Sequence, residues 1–137
     1  MRKLILIIDD EEVIATTLEF IFNRKSGDEF LAVRATSLAK AFVITSAITP
    51  DLVLLDVCMP GARGLDAAIE FRDELGLKVL LITGWPGVTQ LLLDLESHRI
   101  PPFPVLPKPS QPEEMLKKIR ELLGTEPLAA SAGAEQQ

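Results

Sequence analysis

Two apolar runs in this chain end on carboxylates: Leu4 to Ile8 runs into Asp9-Asp10, and Leu52 to Leu55 runs into Asp56. A later run from Lys78 ends in Thr83, and a proline-laden stretch further on ends in Lys108. If the fold gathers them, the set comprises three carboxylates, one hydroxyl and one ammonium. Such a set suits a phosphoryl group carried on a carboxylate nucleophile. Carboxylates held in one crevice repel one another and resist desolvation, so they need an outside positive charge or raised pKa values. A hard divalent cation with oxygen ligands meets that need most simply.

The elements that must position these groups follow from the hydrophobic pattern. Short runs of Ile, Val and Leu alternate with stretches of helical spacing, as expected of strands buried on both faces of a parallel sheet. In such sheets ligands bind at the carboxyl ends of the strands. Leu4 to Ile8, Phe30 to Arg34, Leu52 to Leu55 and Lys78 to Thr83 are predicted strands, and Pro101 to Pro109 holds a short fifth one. The first helix is predicted from Glu11 to about Arg24, through Val13, Ile14, Leu18 and Ile21. The second runs from Ser37, a plausible N-cap, to Ile48, with Leu38, Ala41, Phe42 and Ile48 on one face. Leu65 to Leu75 is predicted as a third helix stopped by Gly76, Val88 to Ser97 as a fourth, and Pro112 to Leu123 as an amphipathic fifth. Pro60-Gly61 reads as a turn.

Five βα units with right-handed crossovers predict an α/β, doubly wound, flavodoxin-like sandwich with a five-stranded parallel sheet in the order 2-1-3-4-5. The first and third strands are then neighbours. That order would set Asp9, Asp10 and Asp56 side by side and bring Thr83 and Lys108 to the same crevice.

Length and composition narrow the function classes. A chain of 137 residues is the size of one domain with a real core. Residues 1–124 are expected to form it, and residues 125–137, rich in Ala, Ser, Gly, Glu and Gln, to be a flexible tail or linker stub. The net charge of −6 argues against a nucleic-acid surface, which would be basic. With Cys58 as the single cysteine, neither an internal disulfide nor a Cys-rich zinc site can form, which fits a reducing cytoplasm. The apolar run after Met1-Arg2-Lys3 is too short for a signal peptide or a membrane span, so no membrane contact is expected.

At this point the residues carry a resemblance. The blocks Ile-Ile-Asp-Asp-Glu at 7–11, Pro-Asp-Leu-Val-Leu-Leu-Asp-Val-Cys-Met-Pro-Gly at 50–61, Ile-Thr-Gly at 82–84 and Leu-Pro-Lys-Pro at 106–109 are similar to those of response-regulator receiver domains of two-component phosphorelay signalling. The resemblance covers residues 1 to about 124. It implies that Asp56 is the phosphoacceptor, taking a phosphoryl group from a sensor histidine kinase, a histidine phosphotransfer protein or a small donor. It also implies that Mg²⁺ is held by Asp10 and Asp56 directly, by Asp9 through water, and by the backbone carbonyl of Cys58. Thr83 and Lys108 would bind the transferred oxygens. The chain would then be a switch, not an enzyme on other substrates, catalysing only its own phosphorylation and dephosphorylation. Its output would pass through the surface of the fourth helix, fifth strand and fifth helix to a downstream protein, with the chain a monomer or a phosphorylation-dependent dimer. The resemblance further implies a cis Lys108-Pro109 bond.

The sequence departs from the family at one position. Where a Tyr or Phe usually stands three residues before the lysine and turns inward on activation, this chain has Val105. Phe103 shares its strand face if the strand is regular, and reads either as a displaced substitute or as a core plug. Cys58 and Trp85, each two residues beyond a site residue, stand where the family tunes the phosphoryl lifetime; Cys58 offers no carboxylate or amide to position water. Trp85 reads either as a shield that slows dephosphorylation or as a packed loop aromatic. His98, the sole histidine, reads as a solvated cap at a helix end. Among Leu91, Leu92, Leu93 and Leu95, most are expected in the core and part at an interface.

The alternative reading is a pseudo-receiver, a protein-binding module that works without phosphorylation. Val105 keeps it open, and the full acid, Thr and Lys set argues against it. A haloacid-dehalogenase-type phosphatase would want Asp-x-Asp after the first strand, and a flavodoxin a Ser/Thr/Gly phosphate loop. Asp9-Asp10-Glu11-Glu12 fits neither.

Overall fold

A computed structural model describes residues 2–25, 27–58, 64–84 and 87–124. The strands are β1 (Lys3–Ile8), β2 (Phe30–Ala35), β3 (Leu52–Asp56), β4 (Lys78–Gly84) and β5 (Val105–Lys108). All pair in parallel in the order β2-β1-β3-β4-β5, as the alternation of elements predicts. The helices are α1 (Glu12–Lys25), α2 (Leu38–Ala47), α3 (Gly64–Ile69), α4 (Gly87–Ser97) and α5 (Pro112–Leu123), with a π-helical turn at Glu70–Glu74 continuing α3. Among the described residues, no helix is long and apolar enough to cross a membrane.

The strands read as unbroken apolar runs because both of their faces are buried. Successive side chains point to opposite faces, and the core divides accordingly. Ile5, Ile7, Leu54, Leu80 and Ile82 pack with Leu18 and Phe22 of α1 and with Met115 and Ile119 of α5. Leu6, Ile8, Val53, Leu55, Val79 and Leu81 pack on the other side with Ala41, Ala67, Phe71, Leu91 and Leu95. This parity positions the site: Asp56 continues the face of Leu54, Asp9 that of Ile7, and Lys108 that of Leu106, so all three share the α1/α5 side. Thr83 continues Leu81 to the opposite side.

Several helix expectations hold in detail. Ser37 caps α2, its hydroxyl accepting from the Lys40 amide at 3.1 Å. Gln111 and Glu114 form a reciprocal capping box that starts α5 at Pro112, and Gly124 ends it at φ 69°.

Others change. Val13 is expected on the buried face of α1 but is 79% exposed. The buried stripe runs through Ala15, Leu18 and Phe22, and at 3.6 residues per turn Val13 sits about 140° around the helix from Leu18. Ile48 is the extended C-cap of α2 and leaves its apolar face. The expected single helix from Leu65 to Leu75 instead widens into a π turn, the Leu75 amide donating to Glu70 carbonyl at 3.1 Å. That wider turn buries Phe71, stacked on Phe42 at 4.7 Å between centroids, and sets the Arg72 guanidinium 3.8 Å over the Phe103 ring. The short fifth strand falls within Pro101 to Pro109 as expected, at Val105–Lys108, and the Leu81 amide also donates to Pro104 carbonyl at 3.0 Å. It lies at the edge of the sheet, where Pro107 costs no needed ladder bond. Lys108-Pro109 is cis. The Pro60-Gly61 turn, Trp85 and the expected tail at 125–137 lie outside the described residues.

Candidate functional site

The carboxyl ends of β1 and β3 bring the three expected carboxylates together. Asp9, Asp10 and Asp56 each offer an oxygen within 4.8 Å of the others. Asp9 and Asp56 are buried, at 3% and 6% exposure, while Asp10 stands open to solvent. Asp56 Oδ1 accepts from the Cys58 backbone amide at 2.9 Å, and Oδ2 accepts from Lys108 Nζ at 2.8 Å. Asp9 Oδ1 accepts from the Glu11 amide at 3.0 Å, and its Oδ2 lies 3.3 Å from the same Lys108 ammonium. Each buried acid is therefore held by one local backbone donor and one shared cation from the far edge of the sheet. A floor of Ile7, Leu54, Ile82 and Met115 encloses about 30 Å³ beneath them.

Lys108 feels opposing influences. Burial pulls its pKa down, but the hydrogen bond and charge of Asp56, with the charge and bond of Asp9, outweigh it and hold the ammonium above its ordinary value of 10.5. One ammonium balances only one of three carboxylates. The remaining negative charge, presented on hard oxygens with one acid open to water, fits Mg²⁺, which keeps several waters and takes one or two carboxylates.

Thr83 is fully buried, and its hydroxyl lies 2.8 Å from Cys58 Sγ. Strand parity explains why it does not join Lys108 on the carboxylates. Phe103 is buried in the core layer that Val105 also borders, beneath Arg72. His98 is exposed at the end of α4, its Nδ1 2.9 Å from the Asp94 carbonyl oxygen. Of the α4 leucines, Leu91 and Leu95 are buried while Leu92 and Leu93 are 47% and 55% exposed.

Three contributors escape the sequence reading. The Glu11 amide is invisible to any side-chain motif. Arg72 reaches Phe103 only through the π turn. Gly87 reads as turn punctuation, yet a Cβ there would lie 2.6 Å from Thr83 Oγ1. Its place in Gly84-Trp85-Pro86-Gly87 is the one hint that the backbone comes close to something.

Comparison with known proteins agrees with this fold. The response regulator receiver domain family matches residues 5–120, and the chain belongs to that family. It is 34% identical over 119 residues to the aerobic respiration control protein ArcA of Escherichia coli, covering 87% of this chain and 48% of that protein. It is 32% identical over 129 residues to Protein PetR of Rhodobacter capsulatus, covering 94% and 52%. The DNA-binding response regulator MtrA of Mycolicibacterium paratuberculosis is 28% identical over 120 residues, covering 88% and 51%. The chain thus spans about half the length of the curated relatives it matches. A CheY-like receiver domain protein from Methanospirillum hungatei superposes with a TM-score of 0.75 at 22% identity, over 90% of this chain and 95% of that one, which supports the fold. The molecule is a receiver domain of two-component signalling.

Proposed function

We propose that this receiver domain is a Mg²⁺-dependent phosphorylation switch with Asp56 as phosphoacceptor. One observation carries the reading: Asp56 presents a buried carboxylate clamped by the Cys58 amide and Lys108, beside two further carboxylates. An Asp56 oxygen bonds to phosphorus as the bond from phosphorus to the donor nitrogen or oxygen breaks, the electron pair staying on the donor atom. The product is an acyl phosphate. Lys108, already 2.8 Å from Asp56, follows the charge onto the phosphoryl oxygens. Thr83 supplies a hydroxyl to another of them.

Asp10 and Asp56, with Asp9 through water and the Cys58 carbonyl, are the residues that would hold Mg²⁺. When bound, the cation balances charge on the transferring oxygens. The donor is a sensor histidine kinase or histidine phosphotransfer protein. An open groove bordered by Ile14, Leu18, Lys108, Pro109 and Met115 leads to the ammonium and supports approach from that side. Output passes to a downstream protein across α4, β5 and α5, where Leu92 and Leu93 are exposed. A cytoplasmic location belongs to the same proposal, supported by the single cysteine.

The test is incubation with Mg²⁺ and a small phosphodonor, read by intact mass. Wild type gains one phosphoryl group and Asp56→Asn gains none. Labelling retained in Asp56→Asn would contradict the assignment, and an unlabelled wild type would favour the pseudo-receiver.

A further inference from the structure

The Thr83 hydroxyl is held in a place of its own. On one side stands Cys58 Sγ at 2.8 Å. Against an adjacent side stands Gly87, the first residue of α4, where a Cβ would lie 2.6 Å from Thr83 Oγ1 and 3.7 Å from Cys58 Sγ. The hydroxyl therefore fills a slot with a thiol for one wall and bare backbone for another. Thr83 is fully buried, so water does not compete freely for it. The same Cys58 residue donates its amide to Asp56 Oδ1, so the thiol and the nucleophile are fastened to one backbone unit.

We propose that Cys58 is a positioning residue for Thr83: the hydroxyl donates to the thiol sulfur in a stand-by position, and an anion on Asp56 must take that donor from the sulfur. The inference rests on the reading of Asp56 as phosphoacceptor. A thiol is a weak hydrogen-bond partner, whereas an anionic oxygen is a strong one. The thiol therefore sets the cost of recruiting Thr83 without preventing it. Gly87 keeps the slot open, since a side chain there would expel the hydroxyl.

The probe is beryllofluoride with Mg²⁺, titrated against the full chain. Cys58→Ala removes the competing partner while keeping the backbone amide and carbonyl. Its affinity for the probe rises about two- to three-fold, as loss of a bond weaker than an ordinary hydrogen bond requires. Cys58→Ser restores a partner for the hydroxyl and returns affinity toward wild type. In a Thr83→Ala background, Cys58→Ala has no effect. A second readout needs no anion: three-bond couplings to the Thr83 methyl report one side-chain rotamer in wild type and rotamer averaging in Cys58→Ala. Unchanged or weaker probe binding in Cys58→Ala would overturn the inference. So would the same gain without the Thr83 hydroxyl, or a single rotamer that survives loss of the thiol. A wild type that binds no beryllofluoride would instead refute the phosphoacceptor reading, and the couplings would still decide the role of the thiol.

Discussion

Replacing Lys108 with Met should move folding stability and Mg²⁺ affinity in opposite directions. Met keeps most of the apolar stem and deletes the ammonium that Asp56 and Asp9 share at 2.8 and 3.3 Å. Removing one partner from a fully buried ion pair costs about 3–5 kcal/mol, because the other charge is left uncompensated. Here the carboxylates are buried, but the Lys108 side chain is 28% exposed, and solvent already screens part of the attraction. The cost in metal-free protein should therefore fall to about 2 kcal/mol. The same loss leaves the acids more negative. Unit charges about 4 Å apart interact by roughly 4 kcal/mol at an effective dielectric of 20, and with water and salt at the mouth a third of that is a fair expectation. Mg²⁺ binding should then tighten about ten-fold.

Urea denaturation in EDTA and in saturating Mg²⁺, with a direct Mg²⁺ titration, measures both effects. The stability gap should be open in EDTA and nearly closed in Mg²⁺. Equal stability in EDTA, or weaker Mg²⁺ binding by the variant, would refute the electrostatic argument. The pH dependence has a fixed sign. The folded-state pKa of Lys108 lies above its unfolded value of 10.5, so its contribution is fully present below that pH and is lost as pH rises through the folded value. The difference between wild type and Lys108→Met in EDTA should stay level from about pH 6, where carboxylates are ionised, to pH 10.5, and shrink above it.

Two further substitutions test the packing around the site. Arg72→Ala removes a guanidinium stacked 3.8 Å from Phe103 and donating to the Pro101 carbonyl at 2.8 Å, and should cost about 1–3 kcal/mol in urea denaturation; an unchanged midpoint would mean that Phe103 is held by the core alone. Gly64→Ala would set a Cβ 2.8 Å from Val57 Cα and 2.9 Å from its carbonyl oxygen, both backbone atoms that cannot swing aside, so a loss of about 1–3 kcal/mol is expected. A melting temperature equal to wild type would show that the β3–α3 connection yields more easily than the contact implies.

The sheet was legible because a strand buried on both faces must be apolar throughout, and little else in a chain of this length reads that way. The strand order came from connection rules, and it predicted that Asp9 and Asp56 become neighbours, as the family resemblance also implied. Helix phase was less legible. Val13 and Ile14 are adjacent apolar residues on α1, and only the direction of packing against Leu18 and Phe22 decides which turns inward. The π turn at Glu70–Glu74 has no signature in its residue types, since it arises from fitting Phe71 against Phe42 and Arg72 over Phe103.

The sequence by itself determined the chemistry on offer. Residue types at strand ends are local facts, and carboxylates, a hydroxyl and an ammonium there specify a site for a cation and a phosphoryl group. Only the tertiary structure decided how these groups divide. The two-residue period of a strand sends Asp9, Asp56 and Lys108 to one side of the sheet and Thr83 to the other. Which partner each then meets depends on backbone brought close from distant parts of the chain: the cation shared by two acids, and the hydroxyl lodged between Cys58 and Gly87.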